Sequence, residues 1–175
     1  MSKMGDEPPR EPPWAEAGEN LPWRILLVRT ADVLVQLTSF VAYSSGVEFA
    51  VDARTRVPNL FSDLIVPPAA IFPEGDRTEE EFFAAGCLIE AVTSTARVSS
   101  AARDSIGSDE LLTATIGRGD RHRWKQSWWL TPLPEGDLLN LAISWEKLGV
   151  DEVVQLDASE VRAAGHRSLS WTRGD

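Results

Sequence analysis

The chain has 175 residues, with 27 Asp and Glu against 17 Lys and Arg, a formal net charge of -10, and one cysteine. That length suits one domain with a core large enough to need no metal or disulfide staple. A lone Cys87 forms no internal disulfide, which goes with a reducing, cytoplasmic compartment. The negative charge argues against general affinity for nucleic acid or anionic membrane surfaces, which are bound by neutralising phosphate or headgroup charge.

Residues 1–24 are rich in Pro, Glu and Gly. Proline removes backbone donors and the carboxylates resist burial, so this stretch reads as a disordered Pro/Glu-rich tail ahead of a single domain over residues 25–172. Trp14 and Trp23 are its bulky exceptions, and Trp23 reads as the start of the domain. No basic n-region followed by an apolar h-region predicts a signal peptide, and no apolar run approaches the roughly 20 residues that cross a bilayer.

From residue 25 to 56 the side chains alternate. Val33, Val35 and Leu37 stand against Leu34, Gln36 and Thr38, then Val47, Phe49 and Val51 against Glu48, Ala50 and Asp52, with Gly46 at the turn between them. Period two of this kind predicts a hairpin with one buried face. Residues 57–77 are apolar but broken by Pro58, Pro67, Pro68 and Pro73, an excursion across the sheet. Thr78 and Glu81 form a capping box that opens a short internal helix over 79–85, stopped by Gly86.

Two short paired strands follow over 87–93 and 96–100, and Cys87 reads as a small buried hydrophobe. After a loop come a strand over 111–116 and a turn over 117–121. The stretch from Arg123 to Trp145 carries the strongest pattern. Trp124, Gln126, Trp128 and Leu130 share one face and Lys125, Ser127 and Trp129 the other, and after Pro132 to Asp137 the pattern resumes with Leu139, Leu141, Ile143 and Trp145. It reads as a second hairpin whose three inward tryptophans anchor the core. A last strand over 153–156 leads to Asp157, which caps a C-terminal helix carrying Val161, Ala164 or Gly165, and Leu169 on one side. The fold class expected is mainly β, an antiparallel β-sandwich with a short internal helix and a C-terminal helix.

The run Val28-Arg29-Thr30-Ala31-Asp32 through Tyr43-Ser44-Ser45-Gly46-Val47-Glu48-Phe49, the Phe82-Phe83-Ala84-Ala85-Gly86 helix end, the Arg123-Trp124 to Leu133-Pro134 segment and the Leu156-Asp157 helix start resemble a family of uncharacterised actinobacterial β-rich proteins. The likeness spans residues 25 to 166. It implies a shared fold and carries no activity, cofactor or site residue.

Signatures of catalysis are sparse. There is no G-x-S-x-G elbow, Walker loop or H-E-x-x-H helix, and Gly117-x-Gly119 lacks the third glycine of a dinucleotide fingerprint. Two histidines and one cysteine supply no His/Cys metal set, so no metal and no cofactor are predicted. The candidate binding residues are Arg118, Arg121, His122, Arg123 and Lys125, a basic loop in an acidic chain that suits an anion, with Trp129 beside them on the polar face. The favoured reading is a non-enzymatic protein-interaction or scaffold module that orients an acidic protein partner by charge, with no role for nucleic acid or membrane. The alternative is a carbohydrate-like ligand-binding or hydrolytic sandwich, in which Trp129 stacks on the ligand and surface carboxylates act on it. The sequence sets neither the partner nor the oligomeric state.

Overall fold

The computed structural model describes residues 11–58, 60, 87–93, 97–99 and 111–171. The predicted internal helix over 79–85 lies outside them. In chain order the elements are β1 (Glu16–Ala17), β2 (Glu19–Leu21), β3 (Ile25–Arg29), β4 (Val33–Tyr43), β5 (Gly46–Thr55), β6 (Cys87–Val92), β7 (Arg97–Ser99), β8 (Leu111–Gly119), β9 (Arg123–Thr131), β10 (Leu138–Trp145), a 3-10 turn (Glu146–Leu148), β11 (Val150–Asp157), α1 (Ala158–Gly165) and β12 (Leu169–Ser170). They build a six-stranded antiparallel sheet in the order β2-β4-β5-β9-β8, with β3 also on β4, a four-stranded sheet β11-β10-β6-β7, and a ribbon of β1 with β12.

The period-two pattern decides which faces close on each other. Val35, Leu37, Phe49, Val51, Trp124 and Trp128 from the large sheet share one buried cluster with Ile89, Leu139, Leu141, Ile143 and Trp145 from the small one. Two apolar faces packed in this way make a β-sandwich. Each fully buried aliphatic or Phe side chain contributes about 1.5–3 kcal/mol relative to exposure. Trp23 meets Phe40 edge-on at 5.4 Å, and Phe40 stacks on Phe49 at 5.7 Å, so the core is continuous from β4 to β5.

The β4–β5 hairpin and the β6–β7 pair form as the alternation predicts. The tryptophan stretch differs. β9 pairs with β5 and β8, whereas β10 pairs with β6 and β11, so the two strands belong to opposite sheets. Both have one apolar face, and that pattern is satisfied equally by pairing side by side or by facing across a core. Here Pro132 to Asp137, entered through a cis Thr131–Pro132 bond, carries the chain from one layer to the other.

The segment expected to be a tail is in β structure from Glu16 onward. β2 pairs with β4, and Leu21, 6% exposed, joins the core. Gly18 lies against Val41 and Tyr43, where a Cβ would come within 2.6 Å of the Val41 side chain. Glu16 accepts from the Ser44 backbone N–H at 2.9 Å and from the Ser44 and Ser168 hydroxyls. Glu16 and Glu19 here are strand residues and Pro13 and Pro22 lie outside the strands, so neither residue type prevents the pairing.

At the far end, Asp157 caps α1 by accepting from the N–H groups of Ser159 at 2.8 Å and Glu160 at 3.1 Å. Ala158, Val161 and Ala164 face the core. Gly165 ends the helix against the Tyr43 carbonyl and Leu133, where a Cβ would approach to 2.6 and 2.8 Å. Leu169, expected on the helix, instead sits in β12 and is 70% exposed. Among the described residues no helix is long and apolar enough to cross a membrane.

β4 carries an irregularity between Thr38 and Val41, with Ser39 at φ 56. A side chain in the left-handed region costs about 1–2 kcal/mol, which glycine escapes because it has no Cβ, while its own greater loss of chain entropy offsets part of the gain. Ser39→Gly is therefore expected to raise stability by roughly 0.5 kcal/mol even though it removes the hydroxyl that accepts from Lys125 Nζ at 2.9 Å. Urea unfolding checks this, and a fall in the midpoint would show that the hydroxyl matters more than the backbone.

Candidate functional site

The outer face of the large sheet is polar where β3, β4, β5 and β9 run side by side. Registers set two rows across it. Arg29 stands opposite Leu34, Leu34 opposite Arg54, and Arg54 opposite Arg123, while Leu26, Gln36, Asp52 and Lys125 form the row beside it. Arg54 and Arg123 are thus like charges directly across from each other, an arrangement that is unfavourable by itself.

Asp52 resolves it. Its carboxylate accepts from Arg123 Nε at 2.9 Å and Nη2 at 3.0 Å, from Arg54 Nη2 at 3.1 Å and from Gln36 Nε2 at 3.3 Å. Gln36 in turn accepts from Arg24 Nε at 2.8 Å through its carbonyl oxygen. Asp52 is 2% exposed and Gln36 4%, although both sit on the outer face, because the arginine side chains lie over them. Burial alone would push the Asp52 carboxyl up, but the hydrogen bonds and charges of Arg123 and Arg54 outweigh it and hold the pKa below the ordinary aspartate value. The same contacts raise the pKa of Arg123.

Beside this network a groove of about 590 Å³ opens. Among the described residues, Arg24, Arg29, Arg54 and Arg56 line it together with Leu26 and Leu34, and Asp32 is the one carboxylate. Backbone bonds tie its rim together: Thr30 N–H to Val33 O, Arg56 N–H to Asp32 O, and Thr55 N–H to His122 O, each 2.8 Å. The β3–β4 turn, the end of β5 and the β8–β9 turn therefore meet at one end of the sheet. Arginines gather there in a chain whose overall charge is -10.

The six candidate residues are only partly brought together. The basic loop is not a loop, because β8 runs on to Gly119 and β9 starts at Arg123, leaving Asp120 to His122 as the turn. Asp120 accepts from the backbone N–H groups of His122 at 2.7 Å and Arg123 at 2.9 Å, which fixes that turn. Arg121 is exposed beside it. His122 places Nδ1 3.1 Å from the Thr55 carbonyl, a bond made when Nδ1 carries the proton. Arg123 and Lys125 project from β9 onto the outer face, and Arg118 lies opposite Lys125 in the β8 register.

Trp129 departs from its expected role. It is 0% exposed, with the Tyr43 ring edge-on at 5.6 Å and Gly46 so close that a Cβ would come within 2.6 Å of the indole. A closed indole offers no surface for a sugar. Among the described residues no pair of carboxylates converges on it either. Glu48, its cross-strand neighbour, has a pKa raised by burial against a hydrogen bond from Ser127 and the charge of Lys125, and Asp52 is occupied by arginines. The carbohydrate reading thereby loses Trp129 as its aromatic platform.

Cys87 is buried at 4% exposure, and burial pushes its thiol up to about 12, so it is a packing residue at neutral pH. Among the described residues no three His, Cys, Asp or Glu side chains cluster as metal ligands would. The groove residues Arg24, Arg29, Arg54 and Arg56 escaped the sequence reading. The alternation Asp52-x-Arg54-x-Arg56 signals one face, but which strands flank it depends on pairing that the sequence does not state. Comparison of the chain with protein-family models, with curated proteins and with solved structures finds no match in any of the three.

Proposed function

We propose that this protein is a non-enzymatic interaction module that recognises an acidic segment of a partner protein at the arginine-lined end of its large sheet. The observation that carries this reading is the groove itself. Among the described residues four guanidinium groups and a single carboxylate line about 590 Å³, in a chain with ten more negative than positive charges. Arg54 and Arg24 are held from beneath by Asp52 and Gln36, so less side-chain freedom is lost when they bind. Among the described residues Arg29 and Arg56 have no carboxylate partner. An acidic body with one basic patch orients an acidic partner during approach, while duplex nucleic acid, with one charge per about 1.7 Å, far denser than that of an acidic peptide, is repelled by the rest of the surface. A cytoplasmic location goes with this reading, supported by a single, buried cysteine.

The test uses poly-glutamate as the probe. Binding is expected at low ionic strength, weakening steeply as salt rises past a Debye length of about 10 Å at 0.1 M. The double variant Arg29→Glu/Arg56→Glu should abolish it without changing the circular dichroism spectrum, since both side chains are exposed. A wild-type protein that ignores poly-glutamate at low salt removes the basis of the proposal.

A further inference from the structure

We infer that the segment received by the groove is in the polyproline II conformation, crosses the strands, and carries two carboxylates three residues apart with an apolar residue between them. This rests on the proposed reading of the groove and adds its grammar. The geometry comes from the row Arg29, Leu34, Arg54 across three neighbouring strands. Adjacent strands lie about 4.8 Å apart, so the backbones of Arg29 and Arg54 are roughly 10 Å apart with Leu34 midway.

A ligand that pairs with both arginines needs two anionic groups at that separation on the same side. In an extended β-strand, residues three apart point to opposite faces, which fails. In a polyproline II helix there are three residues per turn and a rise of about 3.1 Å per residue, so positions i and i+3 share one edge about 9.3 Å apart. That is the match the row sets. The conformation also has little entropy left to lose on binding when proline enforces it.

The floor says what lies between the charges. Leu34 is half-buried and Leu26 is 53% exposed, and both line the groove among the arginines. A phosphate ion would leave them bare, and a continuous polyanion would set charge over them. An apolar side chain at i+1 or i+2 covers them. The network below helps fix the register, because the Asp52 contact at 3.1 Å and the Gln36 contact at 2.8 Å hold one side of Arg54 and of Arg24.

Two peptides of identical composition test this: one with the order Pro-Glu-Leu-Pro-Glu-Pro and one with the glutamates adjacent, Pro-Glu-Glu-Leu-Pro-Pro, each labelled for fluorescence anisotropy. The spaced peptide is expected to bind about five- to tenfold more tightly, the loss of one charge-assisted pair. Replacing its leucine by serine should weaken it by about threefold or more. In Arg29→Ala the two isomers should bind equally, because only one carboxylate retains its partner. If wild type binds both isomers equally while Arg29→Glu weakens both, the spacing rule is overturned and acidic recognition stands. If neither isomer binds and poly-glutamate does not either, both fall.

Discussion

Trp128→Ala is expected to cost about 3–5 kcal/mol, the range for deleting a buried tryptophan side chain. Trp128 is 2% exposed and stands between Phe49 on β5 and Ala114 on β8, on the face that meets the small sheet. The surrounding strands are fixed by ladders on both sides, so the space cannot collapse, and the cavity term adds to the lost transfer energy. Against a total of about 5–15 kcal/mol for an ordinary domain, this leaves a protein that unfolds at low denaturant. Trp14 and Trp171 are 94% and 78% exposed, and alanine at either should change stability by less than about 0.5 kcal/mol. Urea titrations of the three variants decide it. Equal midpoints for Trp128→Ala and Trp171→Ala would mean that the two inward tryptophan rows do not meet in a common core.

That core was legible because burial follows residue type and period two. Val35, Phe49, Trp124, Trp128, Leu141 and Trp145 could each be assigned to an inward face from alternation alone, and the Asp157 cap from one carboxylate ahead of a helical run. Partnership between strands was not legible. Alternation says which side a residue faces but not which strand lies beside it, which is why β9 and β10 read as a hairpin when they belong to facing sheets. The pair Gly117 and Gly119 shows the same limit. Their spacing falls one glycine short of a dinucleotide fingerprint and says nothing more, whereas in the fold a Cβ on Gly119 would come within 2.4 Å of the Trp124 ring and one on Gly117 within 2.5 Å of Gln126 Oε1 and 3.0 Å of that ring, so the pair makes room for side chains of β9. The candidate site suffered most, since it exists only through register. Arg29, Arg54 and Arg123 come from three distant stretches, and Asp52 among several surface carboxylates carries no local mark of its burial. Arg123 was singled out for its charged neighbours in sequence, yet the group it binds lies 71 positions away.

Asp52→Asn is expected to destabilise the protein by about 2–3 kcal/mol and to remove a pH-dependent part of its stability. An asparagine keeps the volume but turns one acceptor into a donor, which then faces the N–H groups of Arg54, Arg123 or Gln36. The two arginines, opposite each other across β5 and β9, lose the charge that reconciled them. Their guanidinium groups are about half exposed, which lets water recover part of the loss and keeps the figure below that for a wholly buried pair. The pH dependence has a definite sign. The folded-state pKa lies below the ordinary aspartate value of 3.8, so the contribution is fully present above that value and is lost as pH falls toward and through the folded pKa. The gap in urea midpoint between wild type and Asp52→Asn should therefore be constant from about pH 7 to pH 5 and narrow below about pH 4. The variant also separates support from contact at the groove. Without Asp52, Arg54 is free to swing, so affinity for an acidic probe should fall although no groove-lining side chain has been changed and the net charge has become less negative. An unchanged or tighter affinity would show that total charge, not the placement of Arg54, governs binding.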